Sequence, residues 1–337
     1  MKFNKILLLQ NNMLGDVIIS TGFVKAVRDK FPNSKIAFLV QPATADLVRL
    51  PFIDEVIPYD KGMPLLPVIK KVWRYDVALC LDFKYRSAVI PFLARIPVRA
   101  GISHKRKIFL TDSVPITENF SYESKNVYYN QFMALVMEKC IGLKLDGDLT
   151  RLYIADSTKE TKAAVDKVLP VSDYPTIAIA PFSSTLMKNY PPERYKIFIE
   201  KLRENFACRF VVIGGKSDVQ KDFYIFEGDV DLRGKLSLTE SAEVLRRADY
   251  FIGSCSAPLH MASAVGTPAL ALYGPTSPQI WAPRYKCIYI QHKQDCSPCD
   301  RVGYGVPCNG DNICIKSISV EEVLSAFENL RQKYPIN

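Results

Sequence analysis

The chain has no long apolar run. Nothing in its 337 residues approaches the roughly 18 consecutive apolar residues of a membrane-crossing helix. The longest candidate, 88–98, is broken by Pro91, Arg95 and Pro97. At the start only residues 6–9 form an apolar run, too short for a signal-peptide core, so a soluble cytoplasmic protein is expected. Gly-x-Gly-x-x-Gly is missing, which speaks against a dinucleotide oxidoreductase, and so is the Gly-Lys-Ser/Thr ending of a P-loop. Helix-turn-helix, zinc-finger and RNP-type signatures are missing too, so no nucleic-acid partner is expected. With 16 Gly and 22 Pro the chain is not of low complexity. Its nine cysteines are an odd number, unlike a fully paired secreted framework.

What is present is globular: 48% hydrophobic and 23% charged residues, at a length that suggests two domains. The charge is uneven. Residues 1–165 carry 24 Lys and Arg against 16 Asp and Glu, and residues 166–337 carry 20 against 19, so the first part holds +8 of the net +9. Its densest cluster is Arg95, Arg99, His104, Lys105, Arg106 and Lys107. A solvated surface loop accounts for such a cluster by itself; an anionic membrane surface or a phosphorylated substrate is the functional reading.

Short apolar runs at 6–9, 35–40, 56–58 and 77–81 alternate with helical spacing over 14–31. That alternation implies a parallel sheet with helices on both faces. The pattern restarts after a linker near 151–175, with strands at 176–180, 210–213, 250–252 and 269–273. Helices are expected at 192–205, 238–247, 258–265 and 320–334. The fold class is therefore α/β, two doubly wound units in series. Ligands in such folds sit beyond the carboxyl ends of the strands. That singles out the turns at 10–16, 181–188, 214–218 and 253–258.

Two of these turns could hold a diphosphate. Ser183, Ser184, Thr185 and Lys188 put three hydroxyls and an ammonium in one turn, a set that suits phosphate oxygens. Gly253 to His260 joins a strand to a helix through small residues, and free amides at a helix start bind anions. Ser254 or Ser256 as a plain N-cap, and His260 as a structural residue, are the bland alternatives. Asp16 likewise could simply complement the dipole of its helix.

At this point the chain resembles a known family. Asn11-Asn12-Met13-Leu14-Gly15-Asp16-Val17 is similar to the leading L-G-D-V signature of the ADP-heptose:lipopolysaccharide heptosyltransferases, glycosyltransferase family 9. Four further blocks follow in the family's order: Ala180-Pro181 through Lys188-Asn189-Tyr190-Pro191; Val211 to Gly215; Asp231 to Leu238; and Gly253 to Ala264 with Gly266-Thr267-Pro268 and Tyr273-Gly274-Pro275-Thr276. The resemblance implies a GT-B architecture, two Rossmann-like domains facing a cleft. Residues 1–165 would take the acceptor and residues 166–319 the nucleotide-sugar, with 320–337 a terminal helix. It implies inverting, metal-independent transfer of a heptose from ADP-heptose to a lipopolysaccharide core or related glycan. Asp16 would be the general base. Ser183, Ser184, Lys188, Ser256, Ala257, Pro258 and His260 would bind the donor diphosphate, and Gly215, Asp218, Lys235 and Cys255 are further donor-contact candidates. A phosphorylated glycolipid acceptor would bring the protein to the inner face of the inner membrane.

The chain departs from the family at Cys255, where the pattern has Asp, and at Ala257, where it has Gly. A different donor, or a non-catalytic nucleotide-sugar-binding homologue, follows from that change. A second sharp signal is Cys296-x2-Cys299-x8-Cys308-x5-Cys314 in the loop-rich segment 296–314. Four thiolates at such spacing suit a structural zinc or iron site; reduced thiols or two disulfides are the alternatives. A related group that modifies autotransporter proteins contains iron, so transfer onto protein is the rival acceptor reading. A metal-based redox protein rests on these cysteines alone. Cys80, Cys140, Cys208 and Cys287 read as scattered core residues.

Overall fold

The apolar run at the start of the chain becomes the middle of a parallel sheet. The computed structural model describes residues 2–299, 308 and 311–336. Its first unit, Met1–Ala155, contains β1 (Lys5–Gln10), β2 (Lys35–Val40), β3 (Glu55–Pro58), β4 (Val77–Cys80), β5 (Val98–Ile102) and β6 (Asp112–Val114). The order across the sheet is β3-β2-β1-β4-β5-β6, with every pair parallel. A parallel sheet is covered on both faces, so its strands read as unbroken apolar runs rather than alternating ones. Ile6, Leu7, Leu8 and Leu9 are all fully buried. The helices are α1 (Leu14–Lys30), α2 (Leu65–Lys71), α3 (Tyr85–Leu93), α4 (Tyr122–Lys125) and α5 (Tyr129–Ile141).

Helix α1 is held from outside as well as by the sheet. A Cβ at Gly22 would lie 2.5 Å from the Arg151 carbonyl and 2.9 Å from that of Leu149, so the glycine lets residues 149–151 lie directly on the helix. The Asn130 amide of α5 donates to Ile19 O at 2.6 Å and to Leu149 O at 2.8 Å. Thr21 Oγ1 accepts from the Tyr153 amide at 2.9 Å. The segment that ends unit 1 thus pins the helix that carries Asp16.

The second unit, Asp156–Asn337, repeats the plan. Its strands are β7 (Thr176–Ala180), β8 (Arg209–Val212), β9 (Val230–Asp231), β10 (Tyr250–Ser254), β11 (Ala269–Tyr273) and β12 (Cys287–Gln291). Their order is β12-β11-β10-β7-β8-β9; counted from β7, this is the order of the first sheet. The helices are α6 (Lys159–Val168), α7 (Pro192–Arg203), α8 (Leu238–Arg247), α9 (Ala257–Val265), α10 (Pro278–Trp281), α11 (Ile313–Lys316) and α12 (Val320–Lys333). Phe198, Phe210, Tyr250 and Phe327 meet edge to face, which builds α12 into this core.

Three sequence expectations change here. The 151–175 linker contains a helix, α6, capped by the Thr158 side chain. The units part after Ala155 rather than after residue 165, because α6 packs on α8, where Arg247 donates to Asp166 at 2.6 Å and to Lys162 O at 3.2 Å. The helix at 320–333 is part of unit 2 and not a separate tail. Of the four cysteines read as core, Cys80 and Cys208 are buried, while Cys140 and Cys287 are partly exposed. Among the described residues no helix is long and apolar enough to cross a membrane.

Candidate functional site

In a doubly wound sheet the crevice for a ligand opens where the strand order reverses, beyond the carboxyl ends of the two strands that diverge there. In unit 1 those strands are β1 and β4. In unit 2 they are β7 and β10. The sequence-derived turns at 10–16, 181–188 and 253–258 fall on these positions.

In unit 1 the loop after β1 is tied to the loop after β4. The Asn11 amide donates to Asp82 Oδ2 at 2.6 Å, and the same carboxylate accepts from Ser87 Oγ at 2.7 Å and Lys84 N at 2.8 Å. Arg106 Nη1 lies 3.4 Å from Asp82 Oδ1. Both side chains are fully buried. The guanidinium also donates to the carbonyls of Ile102, Lys84 and Asp82. Burial pushes the Asp82 carboxyl upward, and the Arg106 charge opposes it. Arg106 appeared in the sequence only as one of a basic cluster. Nothing in that run told it from its solvated neighbours, because its partner lies 24 residues away.

Asp16 stands in the first turn of α1, half-buried. Met13 at the helix start offers no side-chain cap. Ser20 Oγ donates to Asp16 O at 2.8 Å and accepts from Gln10 Nε2 at 2.9 Å, which joins the helix turn to the end of β1. Tyr129 donates to Leu81 O at 2.6 Å. Its hydroxyl is pushed well above the usual tyrosine range, by burial first and then by the charges of Asp16 and Asp82. The Asp16 and Asp82 charges thus both act on the Tyr129 hydroxyl at the end of β4. Tyr129 was missed, since residues 115–150 carry no motif.

In unit 2 the turn after β7 is shaped by its own side chains. Ser183 N donates to Asn189 Oδ1 at 2.7 Å, and Ser183 Oγ donates to Thr185 O at 2.7 Å. The Ser183 hydroxyl is thus committed to the turn, while Ser184 is exposed. Lys188 ends this turn, and its charge acts on His260 of α9. The imidazole is buried, its Nδ1 has no hydrogen-bond partner, and its pKa is lowered to about 3 by burial first and the Lys188 ammonium second. A buried neutral ring with one nitrogen unpaired has a hydrogen-bonding position left over for a ligand.

The helix start offers less than the sequence suggested. Ser256 sits at the cap position but does not cap; its hydroxyl donates to Ser254 O at 3.2 Å. Pro258 has no amide proton, and the Leu259 amide is bonded to Ser256 O at 3.1 Å. The Ser256 hydroxyl proton is already given to Ser254 O, so of the groups the sequence suggested at this helix start the Ala257 amide is the local donor for an anion. Cys255 is buried beside Cys287, whose thiol is pushed up to about 12 by burial first and by Cys255 second.

The third turn, after β8, is a structural knot. Asp218 Oδ2 accepts from the Gly215 amide at 2.8 Å, and its Oδ1 from Lys221 at 2.7 Å. Arg233 donates to Asp218 O and Lys221 O and pairs with Asp231 at 2.8 Å. Lys235 donates to Asp231 O at 2.7 Å. Gly234 has φ +69, and a Cβ there would meet Val219 at 2.7 Å, which is why this motif needs glycine. Beside the 181–188 turn lies a cavity of about 580 Å³ that includes Phe182, Tyr190, Arg194 and Lys221 in its wall, but neither Lys188 nor His260.

The cysteine segment docks on the turn after β11. Ser297 Oγ donates to Gly274 O at 3.0 Å, and the Cys299 amide to Pro275 O at 2.9 Å. A Cβ at Gly274 would lie 3.4 Å from Cys314 Sγ. Burial raises the Cys314 thiol, and the thiols of Cys299, Cys296 and Cys308 add to the shift. Among the described residues, however, no three His, Cys, Asp or Glu side chains are gathered into a set that could hold a metal ion. As placed, the thiols do not form the ligand cage expected from their spacing. Residues 300–307, 309 and 310 of the expected knuckle lie outside the described residues.

With this geometry in hand, comparison with known proteins is specific. Residues 69–303 match the family described as Glycosyltransferase family 9 (heptosyltransferase). The chain is 25% identical over 312 residues to lipooligosaccharide heptosyltransferase 2 of Haemophilus ducreyi, covering 85% of this chain and 88% of that one. Among solved structures it is similar to a family 9 glycosyltransferase from Veillonella parvula, with TM-score 0.83 at 20% identity over 99% and 98% of the two chains. It is also similar to the ADP-heptose LPS heptosyltransferase II of Escherichia coli, with TM-score 0.78 at 22% identity over 98% and 99%. Both share its α/β fold of two parallel-sheet units.

Proposed function

The chain belongs to glycosyltransferase family 9, the heptosyltransferases, and from that premise we propose that it transfers a heptose from ADP-heptose to a lipopolysaccharide core acceptor. It is a glycosyltransferase; the donor, the acceptor and the residues that act are the substance of the proposal. Unit 2 takes the nucleotide-sugar and unit 1 the acceptor, a phosphorylated glycolipid that suits the +8 carried by residues 1–165. The protein works in the cytoplasm, at the inner face of the inner membrane.

Asp16 acts as general base. It accepts the proton of the attacking acceptor hydroxyl as that oxygen bonds to the anomeric carbon. The bond from that carbon to the diphosphate breaks with inversion, and ADP leaves with its charge. Lys188 neutralises the leaving oxygens as a point charge. The neutral His260 ring, the exposed Ser184 hydroxyl and the Ala257 amide supply hydrogen bonds that need no rearrangement as charge develops. Ser183 shapes the turn, and Asp218, Arg233 and Lys235 keep the neighbouring Gly214-Gly215 turn rigid. Catalysis needs no cofactor. The structural zinc or iron ion that the cysteine spacing suggests finds no ligand set among the described residues, and elemental analysis of purified protein decides it: one equivalent per chain restores the ion, and none leaves four reduced thiols.

The observation that carries this reading is the buried His260, its Nδ1 unpaired and its ring under the Lys188 charge, at the switch point of unit 2. The test is donor binding and turnover by wild type, Asp16→Ala and Cys255→Asp. Wild type should release ADP from ADP-heptose in an acceptor-dependent way, and Asp16→Ala should bind donor without turnover. If wild type ignores ADP-heptose while Cys255→Asp binds it, this chain uses another donor.

A further inference from the structure

The net charge of the protein is concentrated in one stretch. Residues 61–110 hold eleven Lys and Arg against two Asp, a net of +9, which equals the net charge of the whole chain. Asp82 and Arg106 are buried as a pair and cancel each other, which leaves ten cations against Asp76, whose carboxylate accepts from the Asn4 and Lys5 amides. The same fifty residues build α2, α3 and the short 3-10 turn Lys107–Phe109, which pack in that sequence against one another.

On this face large apolar side chains stand in water among the cations. Ile108 is 80% exposed and Leu66 61% exposed, and Trp73, Tyr85, Phe92 and Leu93 are exposed as well. Tyr85 and Phe92 meet around Phe109, which follows Ile108 in the chain, and Leu66 lies on α2, which packs on α3. Phe109 touches Tyr85 at 5.0 Å and Phe92 at 5.3 Å between ring centroids, Arg99 lies over Phe92 at 5.6 Å, and Arg95 lies over Trp73 at 5.5 Å. Guanidiniums laid on aromatic rings keep the charge at the edge of the apolar surface. Single exposed apolar residues are ordinary, but a contiguous group rimmed by charge marks an interaction surface.

We propose that the face made by α2, α3 and residues 107–109 docks on an anionic lipid bilayer. Charge complementarity selects that partner. Cations attract the anionic headgroups, and aliphatic and aromatic side chains enter the boundary with the acyl chains. Nucleic acid would use the cations and leave Ile108 and Leu66 without purpose. The inference rests on the reading of a lipid-linked acceptor and deepens it. The loop that leads from β4 into α3 carries Asp82, which holds Asn11 at the mouth of the acceptor site, so this face begins within a few residues of that site.

Vesicle co-sedimentation tests it, with phosphatidylethanolamine–phosphatidylglycerol vesicles against phosphatidylcholine alone. Wild type should bind the anionic vesicles, lose binding as salt rises, and bind the neutral ones weakly. Lys70→Glu/Lys71→Glu/Lys107→Glu should bind about a hundredfold more weakly, and Leu66→Ser/Ile108→Ser about tenfold or more. Turnover of ADP-heptose with a soluble, delipidated acceptor should be unchanged in both variants, which shows them folded. Equal binding of all proteins to anionic vesicles, or tighter binding of wild type to duplex DNA than to vesicles, overturns the proposal. Vesicle binding without ADP-heptose turnover upholds this surface and removes the proposed function; turnover without vesicle binding does the reverse.

Discussion

Between the first and fourth strands of their sheets, the two units do opposite things with buried polar groups. Unit 1 satisfies its buried charges: Asp82 faces Arg106 and accepts from Asn11 N, Lys84 N and Ser87 Oγ, and only the neutral Asn11 side-chain oxygen of this network is left unpaired. Unit 2 leaves its set open: His260 is buried with Nδ1 unpaired and a lysine charge beside it. A closed network gives a fixed shape, here the loop before Asp16. An open one stores binding capacity for a partner that the chain itself does not supply. The same strand order thus serves one unit as a mount and the other as a socket.

The largest expected effect breaks the mounted group. Asp16→Ala should lower kcat by about 10²–10⁴-fold with donor affinity unchanged, as read by steady-state kinetics and calorimetric binding of ADP-heptose. Lys188→Ala should act on the socket, lowering kcat by about 10²–10³-fold and weakening ADP itself. If Lys188→Ala alters neither, the anion lies elsewhere.

Next comes the mount. Asp82→Ala leaves a buried guanidinium without its carboxylate, which costs about 3–5 kcal/mol of stability. Denaturant unfolding should show the loss, and hydrogen exchange should place it in unit 1. The socket gives a pH signature instead. The His260 pKa is lowered from its ordinary value to about 3, so between that value and about 6.5 the unfolded chain binds the extra proton. Stability should therefore rise with pH across that window and level off above it. His260→Gln should flatten this part of the curve, and an unchanged curve would mean that the ring is not buried neutral.

The smallest effect separates two adjacent hydroxyls. Ser183→Ala should cost roughly 1 kcal/mol of stability through the Thr185 contacts. Ser184→Ala should leave stability alone and raise the KM for donor a few-fold.

Much of this was legible in the sequence. The strands at 35–40, 176–180 and 269–273 and the helix at 238–247 have the expected bounds, because continuous apolar runs and a Ser237 cap are local signals. The turns that hold Asp16, Lys188 and His260 followed from strand-to-helix order alone. What escaped was non-local. Asp218 reads as a ligand candidate until its carboxylate is seen bonded to the Gly215 amide. Arg106 reads as surface until Asp82 is brought to it from another strand. Helix α6 was hidden in a polar stretch whose only buried residue is Val165.

The boundary after Ala155 has a consequence for how such proteins diversify. No strand of one sheet pairs with a strand of the other, and residues 149–153 close unit 1 against α1 before the chain leaves it. A recombination event at that point severs neither sheet. Lineages could therefore exchange one unit while keeping the other, and a designed chimera should be joined there too.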